Sequence, residues 1–406
     1  MTAKGTDTRP LRICMIIASY HPIVGGAEKQ LAQLASIMAG KGHDLTVITQ
    51  LYPGLAAEEV IDGVKVVRVP LGKVTGSFNF MLGAAAAVRR LKPDVVHCHS
   101  LFSPALAGAL AKTVLRMPLL AKPMCGGEAT SIAEKKLGKQ RQRFIARSVD
   151  TFLVVSREIE AELLDLGFPK DKLRYVPNGV DGTKFQPAAD ATAKQAMRTR
   201  LGLPDGTLFV FAGRFAAQKR LPLLLQEWHH VKQAAPDAHL LIAGANRKSN
   251  ADHEVTFGEA EAVSDALLSQ PGVKLLGHVS DMPSLLQAAD VFVLPSAREG
   301  LSNALLEASA AGLATISARI GGAADFIVDG ENGLQFAVDD GADLRKALIL
   351  LAQNADTRAA LGAAARASVL SGFDIHQTAT RLLAEYHSLL GSGGPTPMHD
   401  QGRVHV

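Results

Sequence analysis

Apolar runs bounded by glycine or proline recur along this chain, and helical periodicity fills the intervals between them. The run LRICMIIASY (11–20) is apolar almost throughout, as a strand buried on both faces requires. HPIVGG follows, then a helical pattern from Ala27 to Ala39 that closes on GKG (40–42), then a second strand, HDLTVIT (43–49). Strand, glycine loop, helix and strand make a βαβ unit. DVVHCHS (94–100) predicts a strand, ALAGALAKTVL (105–115) a helix, and PLLAKP (118–123) and VDTFLVVS (149–156) further strands. The first half therefore reads as a parallel sheet wrapped by helices.

YVPNGVDGTKFQP (175–187) interrupts the rhythm with proline, Asn-Gly and Asp-Gly turn chemistry, after which the pattern restarts. Strands are predicted at TLFVFAG (207–213), HLLIAG (239–244), VKLLG (273–277), VFVLP (291–295) and ATISA (314–318), with a helix at LPLLLQEWHHVKQAA (221–235). The expectation is an α/β protein of two Rossmann-like, doubly wound domains facing an interdomain cleft. Residues 1–187 would form the first domain and 188–372 the second, with a closing helix over 373–390 and a disordered tail over 391–406. A length of 406 residues suits two cores better than one.

Charge sharpens this division. Residues 1–187 carry 25 Lys/Arg against 16 Asp/Glu, whereas 188–406 carry 18 against 23. A basic half joined to an acidic half implies different partners for the two domains. Aromatic residues are only 5% of the chain, so the basic residues lack the stacking rings of a single-strand nucleic-acid binder. No apolar run approaches the roughly 18 residues of a membrane span, and ICMIIA (13–18) is too short for a secretory h-region. The expected location is cytoplasmic. Cys14, Cys98 and Cys125 have neither zinc nor redox spacing, and the first two read as small buried thiols.

The candidate chemistry sits at strand ends. Glu299 follows VFVLP in the loop SAREG, a helix starts near Ser302 as N-cap, and Glu307 lies about a turn and a half inside it. Free amides at a helix start favour an anion. Two carboxylates flanking such a pocket suit a ligand with both hydroxyls and phosphate; the alternative is one surface glutamate and one that stabilises the helix. In FAGRFAAQKR (211–220), Arg214 and Lys219 follow the second domain's first strand and can clamp a diphosphate, or else belong to a solvated loop. Gly25 and Gly26 supply a side-chain-free loop after the first strand. Neither first strand is followed by a Walker or G-x-G-x-x-G pattern, which disfavours a P-loop NTPase or a simple dehydrogenase.

Taken in order, GGAEKQLAQLASIMAGKGHDLTVIT, DVVHCHS, VSREIEAELLDLGFPKDKLRYVPNGVD, GRFAAQKR, GHVSDMPSLLQAADVFVLPS and REGLSNALLEASAAG resemble retaining glycosyltransferases of family 4 over about residues 11–390. The resemblance implies the GT-B fold of two Rossmann-like domains. It further implies transfer of a hexose from a nucleotide diphosphate sugar, UDP-sugar favoured and GDP-sugar next, to a hydroxyl acceptor without cofactor or metal. By that resemblance Glu299 contacts donor-sugar hydroxyls and Glu307 holds the ribose. Arg214 and Lys219 bind the diphosphate, and Leu301, Ser302 and Asn303 offer amides. Gly25 and Gly26 close over the phosphates, while His278 and Val279 line the base pocket. The closing helix crosses back onto the first domain.

One departure concerns a histidine that many members carry after the strand matching PLLAKP; here MCGGEAT stands instead, so the position is Met124 or Cys125. KPMCGGE resembles a Lys…Gly-x-Gly version, making Lys122, Gly126, Gly127 and Glu128 candidates for the acceptor side, together with His99. Alternation along the strand puts His97 and His99 on one face, opposite Cys98, with His97 read as structural. Lys136, Lys139, Arg143 and Arg147 make one helical face, either simply solvated or a surface for anionic lipid and a lipid-linked acceptor. Phe78, Phe80 and Met81 in SFNFML (77–82) fit a membrane edge, an acceptor wall or core. An envelope glycan, glycolipid or lipid-linked saccharide is the expected acceptor, reached by peripheral membrane contact. The alternatives are a nucleotide-sugar epimerase or hydrolase on the same fold, and a non-catalytic two-lobed sugar-binding module.

Overall fold

The computed structural model describes residues 9–23, 25–71, 76–244 and 263–391. Apart from Gly391, the tail expected to be disordered lies outside the described residues. The chain divides into two compact units, one of residues 1–178 with 375–406 and the other of residues 179–374.

The first unit holds β1 (Arg12–Ile16), β2 (Asp44–Leu51), β3 (Glu58–Ile61), β4 (Val64–Pro70), β5 (Val95–His99), β6 (Leu119–Lys122), β7 (Thr151–Val154) and β8 (Leu173–Tyr175). They form one sheet in the order β3-β4-β2-β1-β5-β6-β7-β8, parallel except for the β3–β4 hairpin at its edge. The second unit holds β9 (Thr207–Ala212), β10 (Ala238–Ala243), β11 (Val273–Gly277), β12 (Val291–Leu294), β13 (Ala314–Ala318) and β14 (Leu334–Phe336). Their order, β11-β10-β9-β12-β13-β14, is fully parallel and is the doubly wound order. Each sheet thus has a switch point, between β1 and β5 in the first and between β9 and β12 in the second.

The strands form where the apolar runs are because helices cover both faces. β5, β6, β7, β9, β12 and β13 are buried at every position. A recurring device fixes their start. Asp94, Asp150 and Asp290 each stand just before a strand and accept an amide from the first or second residue of its neighbour: Arg12 at 2.8 Å, Leu119 at 2.8 Å and Leu208 at 2.7 Å. A carboxylate there satisfies a backbone donor the ladder leaves over. In the second core Trp228 meets the Phe209 ring edge-on at 5.4 Å.

The division falls nine residues before the expected boundary at 187. Residues 179–187 bend into the second unit because Val180 donates to Phe373 O at 2.8 Å and forms a bridge with Asp374, while Arg366 donates to Phe185 O at 3.1 Å. The closing helix, Ile375–Leu389, belongs to the first unit. Its Ile375, Ala379, Leu382 and Tyr386 enter the same apolar cluster as Leu31, Leu34 and Met38 of the helix Gly26–Gly40. The segment SFNFML begins the helix Gly76–Leu91, where Phe80 is core, Met81 is half-buried, and Phe78 and Leu82 stay exposed. Cys14 and Cys98 are buried free thiols, and Cys125 is half-buried.

Candidate functional site

In the second unit, the loops after β9 and β12 leave the sheet on either side of its switch point, where ligands bind in open α/β sheets. The first carries Arg214 and a short turn, Ala217–Lys219; the second carries Ser296 to Ser302. Ala297 N donates to Gln218 O at 2.8 Å, which ties the loops together. Lys219 and Glu299, 80 positions apart in sequence, form an ion pair with side chains 15% and 12% exposed. Arg214 is exposed, and its guanidinium makes no hydrogen bond or ion pair among the described residues. One cation is therefore pinned by a carboxylate and a second is free to meet an anion.

Ser302 caps the helix Asn303–Ala310, its side chain accepting from Leu305 N at 3.4 Å. Leu301 and Ser302 are buried, and Asn303 and Glu307 are half-buried on the helix that starts there. Beneath the loop lies a contact that sequence reading missed. Gly322 N donates to Gly300 O at 2.7 Å, and a Cβ on Gly322 would stand 2.5 Å from that oxygen and 2.7 Å from Leu301 Cα. Only glycine lets the helix Gly321–Phe326 press so closely on the backbone next to Glu299. Its signal was the Gly-Gly after ATISARI.

His278 and Val279 follow β11, the outermost strand, and are exposed and half-buried respectively. The intervening loops are linked in series: Gly213 N donates to Ala243 O at 2.9 Å and Gly244 N to Gly277 O at 2.8 Å.

In the first unit, Gly25 is the N-cap of Gly26–Gly40 with φ −113° and ψ −174°, an extended conformation open to any residue. A Cβ there would meet only the end of the flexible Glu28 side chain, 2.5 Å from Oε2, so neither backbone conformation nor packing demands glycine at this position. At the ends of β5 and β6, His99 and Lys122 stand side by side in register. His97 and His99 stack with centroids 4.2 Å apart, and His97 Nδ1 is 2.8 Å from the Tyr386 hydroxyl of the closing helix. Burial holds both imidazoles neutral, His97 at about 3 and His99 well below its usual range. Lys122 donates to Asn178 Oδ1 at 2.7 Å.

Glu128 is buried and its carboxylate is fully taken. Oε2 accepts from Ser100 Oγ at 3.0 Å and Leu101 N at 2.8 Å, and Oε1 from Met124 N at 2.9 Å. Gly126 is buried, and Gly127 has φ 81°, the left-handed region that favours glycine; its amide donates to Glu162 Oε2 at 2.6 Å. Tyr386, Asn178 and Glu162 were not singled out by sequence, since their partners lie far along the chain.

Lys136, Lys139, Arg143 and Arg147 are all exposed, with Leu137 and Phe144, but they do not make one helical face as expected: Lys136 lies in the turn before the helix Gly138–Ser148, where Leu137 has φ 62°. Among the described residues no helix is long and apolar enough to cross a membrane, and no cluster of His, Cys, Asp and Glu can hold a metal ion.

Residues 25–179 match the Glycosyl transferase 4-like domain, and residues 206–354 match the Glycosyl transferases group 1 domain. A D-inositol 3-phosphate glycosyltransferase of Xylanimonas cellulosilytica is 30% identical over 397 residues, covering 89% of this chain and 93% of that protein. Sucrose-phosphate synthase from Thermosynechococcus elongatus has a similar fold, with TM-score 0.78 at 19% identity over 94% of this chain and 99% of that one. Anabaena HepE in complex with UDP and glucose gives TM-score 0.75 at 16% identity over 93% and 100%. At these identities the two structures establish the fold, which is GT-B.

Proposed function

The chain belongs to glycosyltransferase family 4, and from that premise we propose that it transfers a hexose, with retention, from a nucleoside diphosphate sugar to a hydroxyl acceptor. The observation that carries this reading is the pairing of Lys219 with Glu299 beside the unpaired Arg214, next to the start of the helix Asn303–Ala310. Breaking the donor's glycosidic bond moves negative charge onto the departing diphosphate. Fixed cations and helix amides there stabilise the transition state more than the ground state. In this reading Arg214 and Lys219 take the diphosphate, Glu299 the sugar hydroxyls and Glu307 the ribose. The amides of Leu301, Ser302 and Asn303 meet the phosphate oxygens. Gly25 and Gly26 serve the donor phosphates from the first unit, and His278 and Val279 the base.

The acceptor is taken to be a glycan or lipid-linked saccharide. Lys136, Lys139, Arg143 and Arg147, with Leu137 and Phe144 interleaved, suit an anionic bilayer surface. Co-sedimentation with phosphatidylglycerol vesicles is expected at low salt and should disappear in a Lys139→Glu, Arg143→Glu variant. Equal pelleting of both proteins would remove the membrane from this reading.

Donor binding is the first test. UDP-sugars lead the set, since the fold neighbour HepE carries UDP and glucose, followed by GDP-, ADP- and dTDP-sugars. One donor is expected to raise the melting temperature without added metal, because a ligand of the native state stabilises it. Arg214→Ala should abolish that shift while leaving the unliganded melting temperature in place. No shift from any donor, or a shift indifferent to Arg214, would refute the assignment.

A further inference from the structure

Lys122 ends β6 beside His99, which ends β5. Residues paired across neighbouring strands point to one face, so an ammonium and an imidazole share a position at the carboxyl edge of the first sheet. The lysine is 6% exposed, and its hydrogen-bond acceptor at 2.7 Å, Asn178 Oδ1, is neutral. No ion pair reaches it among the described residues. Lysine is almost never fully buried without a counter-charge, and an ammonium left so is costly.

The described residues around it do not supply the charge. His97 and His99 face the lysine from β5 and are neutral, and Tyr386 stands behind His97 from the closing helix with its hydroxyl pushed up by burial. Glu128 and Glu162 are engaged elsewhere, the first with Ser100, Leu101 and Met124, the second with Gly127 and Thr130. His99 is buried, and its Nε2 has no partner among the described residues. The strand end is strained as well: Ser100 has φ 98° and donates its amide to Lys122 O at 2.8 Å. Such conformations persist where the surrounding structure over-determines them, and they concentrate at ligand sites.

We propose that Lys122, with His99 and Asn178, is a subsite for a phosphate-class oxyanion carried by a substrate, which supplies the counter-charge that no described residue provides. This rests on the transfer reading above and narrows its substrate class. The anion has two sources, the donor's diphosphate or a phosphate on the acceptor. Burial lowers Lys122 from 10.5 to about 8, so the ammonium is present at neutral pH and is lost as pH rises through that value. In the free protein the same shift is a cost to stability below about pH 8 that is released toward pH 10.5. Oxyanion binding must therefore weaken between pH 7 and 9.

Calorimetric titration of the full chain with inorganic phosphate and with UDP separates the outcomes. At pH 7, at least one probe is expected to bind the native protein about ten times more tightly than Lys122→Met, with Lys122→Arg close to native. At pH 9 the native affinity should fall toward that of Lys122→Met. A loss confined to inorganic phosphate assigns the subsite to the acceptor; a loss for UDP assigns it to the donor. Equal affinities of native protein and Lys122→Met for both probes, no binding of either probe to the native protein, or native affinity that does not fall by pH 9 would each overturn the proposal. If Lys122→Met did not fold, the pH profiles of the native protein and Lys122→Arg would decide alone, since only the native profile should bend. If Arg214→Ala bound donor normally while Lys122→Met lost phosphate, the transfer reading of the second unit would fail and the subsite would stand.

Discussion

Glu299→Gln is expected to lower kcat/KM for sugar transfer by two to three orders of magnitude, the equivalent of roughly 2.7–4 kcal/mol for one preorganised charged contact. Two things are lost together. In the proposed roles, the amide would not hold donor hydroxyls as a carboxylate does, and Lys219, now facing a neutral group, would no longer be fixed for a diphosphate. Both side chains are largely shielded from water, at 12% and 15% exposure, so the pairing is little screened. Initial rates with the donor found by thermal shift provide the measurement. A variant that melts lower yet transfers sugar at the native rate would make the pair purely structural.

Glu128→Ala should act on stability instead. It leaves the amides of Leu101 and Met124 and the hydroxyl of Ser100 without their acceptor in a buried loop. Unsatisfied buried donors cost about 1–3 kcal/mol each, so a total of roughly 2–5 kcal/mol is expected after partial relaxation. The melting temperature should fall by on the order of 10 °C. Glu128→Gln should rescue part of this, because its oxygen can keep Ser100 and Leu101 while its amide nitrogen faces the Met124 amide. An unchanged melting temperature with a raised KM would instead make Glu128 a ligand contact.

What the sequence disclosed and what it hid follow from the range of the interactions. β1, β9 and β12 were legible as apolar runs, because parallel strands buried on both faces must be apolar throughout. The edge strand β3, EEVI, was not: Val60 is 71% exposed, and the strand is held by pairing with β4, by ion pairs of Glu58 with Lys65 and Arg90 and of Glu59 with Arg68, and by Ile61 against the core. The helix Ala355–Gly372 buries small residues such as Gly362 and Ala365, which leave little periodic contrast. Ser302 as a cap could be read locally, since capping chemistry spans three residues. The Lys219–Glu299 pair, 80 positions apart, and the His97–Tyr386 contact, 289 apart, could not, because spacing does not encode long-range register. The candidate roles of Glu299, Glu307 and Arg214 came from family resemblance. Turn residues marked the bend at 175–187 but not the division at 178, which depends on Val180 meeting Phe373.

The closing helix also sets an order of assembly during synthesis. Residues 179–374 are continuous and can close as soon as they emerge, whereas the first unit waits for residues beyond 374. At about 5–20 residues per second, the ribosome needs roughly 10–40 s to make the intervening stretch. Throughout that interval Leu31, Leu34 and Met38 lack the cover of Ile375, Leu382 and Tyr386. The half of the chain made first is thus completed last, with part of its apolar core uncovered while translation continues.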